Sequence, residues 1–231
     1  MLKYSNIYVL GTSHIAVQSI KEVEGAFSKL KPGILALELD ASRLHSLLHN
    51  EKHKIHLSDV SKFGIKGFMF NLVGAWIERK LGKAIGTKPG DEMKKAIMLA
   101  KENKIPVALI DQDITITLKR LSSRLTWGEK FRFIKDALAA GFLKKNNVKI
   151  DLHKVPPEKL IRDLTMKIKK DYPSMHLTLI EERNAFMAKN LYNLSIQHPD
   201  KLILAIVGAG HTKEIIEIVK CLKQQKKKST S

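Results

Sequence analysis

The chain carries a single cysteine, Cys221, which excludes an internal disulfide framework and the small secreted scaffolds that depend on one. Its setting, Ile218-Val219-Lys220-Cys221-Leu222, supplies no activating neighbour, so it reads as structural or incidental. Long hydrophobic runs are missing too. The longest apolar-rich stretch, residues 68–77, stops well short of the ~20 residues of a membrane span. Met1-Leu2-Lys3-Tyr4 leads directly toward a strand, without a signal-peptide pattern. A reducing, cytoplasmic setting is expected, with a membrane-peripheral location as its variant.

Aromatic residues are scarce, at 6%, and acids are outnumbered, 23 Asp+Glu against 41 Lys+Arg, for a formal net charge of +18. Such a balance points to anionic partners. The lysines are spread along the chain, however, and the one dense run, Lys226-Lys227-Lys228, sits in a polar tail. No RNA-binding aromatic motif is present. Weak association with anionic surfaces is expected, and specific nucleic-acid recognition is not. The familiar glycine motifs are also lacking. Gly208-Ala209-Gly210 has no third glycine at the dinucleotide-binding spacing, and no Gly-Lys-Ser/Thr makes a P-loop.

What is present is a pattern repeated at the two ends of the chain. Ile7-Tyr8-Val9-Leu10 runs into Gly11-Thr12-Ser13-His14, and Leu202-Ile203-Leu204-Ala205-Ile206-Val207 runs into Gly208-Ala209-Gly210-His211. Continuous apolar runs of this length suit parallel strands covered on both faces. Glycine is expected to let the backbone turn sharply where each strand ends. Ligands of open α/β sheets gather outside the carboxyl ends of the strands. Two histidines delivered there define a candidate shared site.

Between these ends, helical periodicity runs from after His14 to about Leu30, and Lys31-Pro32-Gly33 stops it. A second strand spans 34–40, which makes a strand–helix–strand unit with parallel strands. This strand contains Glu38, a carboxylate in an apolar setting that is costly to bury without a cation, metal or donor. Asp40 is expected on the same face, and Arg43 is the nearest candidate counter-ion in sequence. His45, His49 and His53 recur every four residues, with His56 beyond, in a polar stretch that reads as an exposed helix face. Residues 60–88 interleave large apolar side chains with glycines, as a core segment or a lid would. Glu92 falls in the first turn of a helix, where the dipole favours an acid. A third strand, 106–113, ends in Asp111-Gln112-Asp113. Helices follow to Leu143, a basic loop covers 144–156, and further helices cover 157–170 and 174–196 before the final strand and helix. The architecture expected is a single α/β domain over 1–224, with a largely parallel central sheet flanked by helices, a mainly helical middle at about 60–196, and a basic flexible tail at 225–231.

Taken in order, Gly11-Thr12-Ser13-His14, Glu38-Leu39-Asp40 with Arg43, Pro89-Gly90 with Glu92, Asp111-Gln112-Asp113-Ile114 with Thr117 and Arg120, Glu182-Arg183-Asn184, and Val207-Gly208-Ala209-Gly210-His211 resemble the TraB/PrgY/GumN family. That family includes bacterial pheromone-shutdown proteins and animal Tiki metalloproteases. The resemblance covers nearly the whole chain. It implies an erythromycin-esterase/ChaN-like α/β fold and a paired Gly-x-x-His site with a strand glutamate and an arginine. Three positions depart from the family pattern: Gln112 replaces an arginine, Asn184 an aspartate, and Glu214 a glycine.

The resemblance further implies a divalent metal ion, of unspecified identity, held by His14, Glu38 and His211. Glu38 is then a ligand or the general base. Arg43 or Arg183 holds a substrate carboxylate or stabilises an oxyanion. Glu92, Asp111, Asp113, Arg120 and Glu182 complete the candidates. The expected function is a metal-dependent, peptidase-like hydrolase acting on peptides. The alternative is a non-catalytic protein that sequesters a peptide or partner in the same cleft, and a homo-oligomer is compatible with either.

Overall fold

In the computed structural model, the residues described are 1–12, 17–49, 90–142 and 158–229. His14, His53, His56, the apolar segment 60–88 and the expected loop 144–156 lie outside them.

Among the described residues, five strands form one sheet in the order β1-β2-β5-β3-β4. β2 (Ile7–Thr12), β5 (Ile203–Gly208), β3 (Ile34–Leu37) and β4 (Val107–Leu109) run parallel, and β1 (Leu2–Tyr4) pairs antiparallel on the outer edge of β2. Helices link them: α1 (Val17–Leu30), α2 (Ala41–His49), α3 (Asp91–Glu102), α4 (Ile114–Arg124), α5 (Trp127–Phe142), α6 (Glu158–Asp171) and α7 (Pro173–His176). A π-helical turn, Leu177–Glu181, joins α7 to α8 (Glu182–Gln197), and α9 (Thr212–Ser229) follows β5. The architecture is therefore α/β with a mostly parallel sheet, as the apolar runs predict.

The packing explains those runs. β5 is the central strand, and all six of its residues are buried. Ile203, Ala205 and Val207 face one layer, against Met187, Ala188 and Leu191 of α8 and Ile215, Ile216 and Val219 of α9. Leu204 and Ile206 face the other, against Val23, Ala26 and Phe27 of α1 and Met93, Ala96 and Ala100 of α3. A strand covered on both faces has no polar side to alternate with. β3 is divided in the same way: Ile34 and Ala36 face α8 and α9, and Leu35 and Leu37 face α1 and α3. Continued by one step, that alternation aims Glu38 at the α8/α9 layer.

Several expectations are corrected. The chain reaches β2 through an antiparallel edge strand, β1, not directly. β3 ends at Leu37 and β4 at Leu109, earlier than expected. Beyond them only scattered ladder bonds persist, Glu38 N–H to Ile206 O at 3.1 Å and Ile110 N–H to Leu37 O at 3.0 Å, because the acids that follow turn to other partners. Asp40 is not a strand residue: its Oδ1 accepts the Arg43 N–H at 2.9 Å, and so it caps α2. α9 continues to Ser229 and takes in most of the lysine-rich stretch. His45 and His49 lie exposed on α2 with their rings 4.3 Å apart.

The role of the terminal glycines also differs from the expected one. Among the described residues, Gly90 is the one glycine with positive φ, so Gly11, Gly208 and Gly210 are not there for left-handed backbone. Gly11 is needed for proximity. It pairs with Val207 in the ladder, and a Cβ on it would lie 2.6 Å from Thr212 Cγ2 and 3.1 Å from Ala209 Cα. The first motif's glycine thus makes room for the turn that carries the second motif's histidine. At Gly210 a Cβ would meet only Ile161 Cγ2, at an ordinary 3.8 Å. Gly11→Ala is expected to destabilise the fold by about 1–3 kcal/mol, the usual cost of overpacking, and Gly210→Ala by much less. Denaturant unfolding of the two variants measures the difference; equal losses would contradict the assignment.

Candidate functional site

The carboxyl ends of β3, β4 and β5 meet the start of α8, and four chain segments deliver charge to that point. Glu38 follows β3, Asp111 follows β4, His211 follows β5, and Arg183 lies in the first turn of α8. Glu38, Asp40 and Asp111 are all buried, at 5%, 6% and 6% exposure, so each requires a partner.

Arg183 is the partner shared between strands. Its Nη2 donates to Glu38 Oε1 and, at 2.5 Å, to Asp111 Oδ2. Its Nε lies 3.2 Å from both Asp111 oxygens, and its Nη1 donates to Leu179 O at 3.3 Å. Burial alone would lower the Arg183 pKa, but the adjacent Glu38 and Asp111 carboxylates more than reverse this and raise it. The guanidinium is permanently charged. Arg43 completes the network from α2, donating to Asp40 Oδ2 at 2.6 Å and to Asp111 Oδ2 at 2.5 Å. The structure thus turns Arg43 toward Asp40 and Asp111 and gives Glu38 the cation of α8.

Glu38 is held at both oxygens. Oε2 accepts the Gly208 N–H at 2.5 Å, so the glycine that ends β5 supplies a backbone donor. Oε1 lies 3.5 Å from His211 Nε2. The other ring nitrogen, Nδ1, is 2.6 Å from Asn184 Oδ1, and Asn184 Nδ2 donates to Glu214 Oε2. Two of the departures from the family pattern, Asn184 and Glu214, therefore touch one another.

A feature with no sequence signal aims α8. In the π turn the Glu182 N–H reaches back five residues to Leu177 O. One extra residue in a helical turn rotates everything after it by about 100°, and Arg183 and Asn184 come immediately after. Beside this turn, His176 Nδ1 pairs with Glu181 at 3.1 Å. Neither the π turn nor the buried His176 is legible in the sequence.

The remaining candidates take other positions. Asp113 is the exposed N-cap of α4; its hydrogen bonds from the Thr115 hydroxyl and N–H, at 2.5 and 2.7 Å, hold its pKa below the usual carboxylate value. Glu92 is buried in the first turn of α3, on the opposite layer of the sheet. Arg120 and Arg124 both donate to Glu182, forming a rim between α4 and α8.

The donor set suits a divalent cation at two positions. Two ligands about 2.1 Å from a tetrahedral cation stand roughly 3.4 Å apart, and His211 Nε2 and Glu38 Oε1 are 3.5 Å apart. Arg183 competes for the same carboxylate oxygen. Among the described residues no three His, Cys, Asp or Glu side chains form a metal cluster, and His14 lies outside those residues.

The rim gives a pH dependence. Burial would raise the Glu182 pKa, but the hydrogen bonds and charges of Arg124 and Arg120 outweigh it, and the net shift is downward. A depressed carboxylate pKa stabilises the fold above the unfolded value of ~4.3 and ceases to do so as pH falls through the folded value. Glu182→Gln is therefore expected to lose stability at neutral pH, by no more than about 1 kcal/mol for pairs this exposed, and to converge on the parent protein in acid. Parallel stability–pH curves would contradict the pairing.

Residues 3–231 match the model of the TraB/PrgY/gumN family. An uncharacterised protein of Methanocaldococcus jannaschii is 39% identical over 94% of this chain and 54% of its own length. TraB domain-containing proteins of human and mouse are each 23% identical over 90% of this chain and 61% of their own length. The chain spans little more than half the length of these curated relatives. No helix among the described residues is long and apolar enough to cross a membrane. With a family-model match along almost its entire length, the chain belongs to the TraB/PrgY/gumN family.

Proposed function

We propose that the protein is a metal-dependent hydrolase acting on peptides, with His211 and Glu38 at the centre of its site. The observation that carries this reading is the approach of His211 Nε2 to Glu38 Oε1 at 3.5 Å. The lone pair of a bare ring nitrogen and a carboxylate oxygen repel at this distance, and a metal ion held between them turns that repulsion into attraction. The surrounding charges agree. Among the described residues of the network, Glu38, Asp40 and Asp111 supply three carboxylates against the two guanidiniums of Arg43 and Arg183.

A bound divalent ion would supply Lewis acidity and a water of lowered pKa. The protein's own residues do the rest. His211 and Glu38 would hold the ion, with His14 as the third ligand proposed. The Gly208 N–H and Arg183 fix the Glu38 carboxylate in place. Arg183 also puts fixed positive charge beside the reacting centre, where an oxyanion would develop.

A second reading is favoured by the same arginines. Glu38 and Asp111 are already ion-paired, as in a site that binds a peptide or partner without chemistry. Metal analysis of the purified protein, followed by a peptide-cleavage screen with and without chelator, separates the two. Under the hydrolase reading the protein binds a divalent metal and cleaves. His211→Ala loses metal and at least ~10²-fold in activity while its melting temperature stays near that of the parent. A metal-free protein that cleaves no peptide with any added divalent ion, yet binds peptide, leaves the sequestering reading in its place.

A further inference from the structure

We propose that Asn184 and Glu214 are positioning residues that fix which nitrogen of His211 carries the ring proton. Nδ1 is assigned as the protonated nitrogen, so that Nε2 is the one presented toward Glu38. The inference rests on the reading of His211 as the working residue of the site, and it names how that residue is controlled.

The geometry is a chain of three side chains, Glu214 from α9, Asn184 from α8 and His211 from the turn between β5 and α9. Glu214 Oε2, in the first turn of α9, accepts from Asn184 Nδ2. A carboxylate accepts only, so it selects the amide face of Asn184 and leaves Oδ1 turned to His211 Nδ1, 2.6 Å away. A carbonyl oxygen also accepts only, so Nδ1 must carry a proton. Asn184 has 0% exposure, so water does not substitute for either neighbour.

An opposing influence makes this control necessary. The Glu38 carboxylate, 3.5 Å from Nε2, attracts a proton to that nitrogen. An Asn184 free to flip would present Nδ2 to His211 and accept the opposite tautomer, with Nδ1 bare and Nε2 protonated. That tautomer blocks Nε2 as a ligand or base. Glu214 decides between the two through the orientation of one amide. Buried partners of this kind orient metal-ligating histidines, and their loss typically costs about 10–100-fold in metal affinity.

The test reads the ring directly. Histidine-labelled protein is followed by long-range proton–nitrogen NMR at alkaline pH, without metal, for the parent, Glu214→Leu and Glu214→Gln. The expected parent spectrum shows a protonated Nδ1 and a bare Nε2. Glu214→Leu removes the acceptor and shifts the population toward protonated Nε2, with Co2+ affinity falling by at least about tenfold. Glu214→Gln keeps an acceptor oxygen for Asn184 and restores both readouts, which a merely structural role would not require. A parent protein with the proton on Nε2, or a Glu214→Leu protein with the parent's tautomer, overturns the assignment. The parent spectrum alone decides it if the leucine variant does not fold. The tautomer readout needs neither bound metal nor turnover, so failure of the hydrolase reading would leave that result standing, and the reverse.

Discussion

One guanidinium shared by two buried carboxylates organises this end of the molecule. Arg183 of α8 bonds Glu38 at the end of β3 and Asp111 at the end of β4, so a helix and two strands are joined at a point where neither acid tolerates burial alone. Asp111, whose side chain is fully buried, takes a second guanidinium from Arg43. Arg43 returns to Asp40, which caps α2 and also accepts the Ile114 N–H at the start of α4 at 3.2 Å. The starts of α2, α4 and α8 and the ends of β3 and β4 therefore share one charge network. Arginine suits the task because its planar fork spreads donors over a wide front: Nη2 reaches both acids, Nε adds to Asp111 and Nη1 to Leu179 O.

The parallel sheet explains why this network sits beside His211. β5 lies between β2 and β3, so its carboxyl end opens between the two strands that carry Gly11 and Glu38. The Gly208 N–H then falls on Glu38, and the turn to α9 brings His211 to the same carboxylate. Gly11 permits that turn to approach closely. The π turn before α8 sets the rotation of Arg183 and Asn184, and without it the two would not face the strand ends together.

Much of the framework was legible in the sequence because its cause is burial. Apolar runs without alternation at 7–10 and 202–207 mark strands covered on both faces, and Glu38 was conspicuous as an acid within such a run. Partnerships were harder to see. Arg43 is near Glu38 in sequence, but the cation that reaches it comes from Arg183, a separation of 145 residues that periodicity does not encode. Asp111 and Asp113 look alike in sequence, yet one is the buried hub and the other an exposed helix cap, because β4 ends early and the chain turns between them. Asn184 and Glu214 stood out only as departures from a family pattern; their contact depends on how α8 packs on α9. The π turn carries no compositional mark, since five residues of ordinary helix propensity form it.

The dependence on Arg183 is open to a direct thermodynamic test. Unfolding free energies of the parent, Arg183→Met, Glu38→Gln and the double variant form a closed cycle. If the buried pair organises the strand ends, each single substitution costs about 3–5 kcal/mol, because it leaves a buried group without its partner. The double variant then falls short of the sum of the two by at least ~2 kcal/mol. Losses that add to within ~0.5 kcal/mol would show that Arg183 and Glu38 act independently, and would contradict the account of the site as one network.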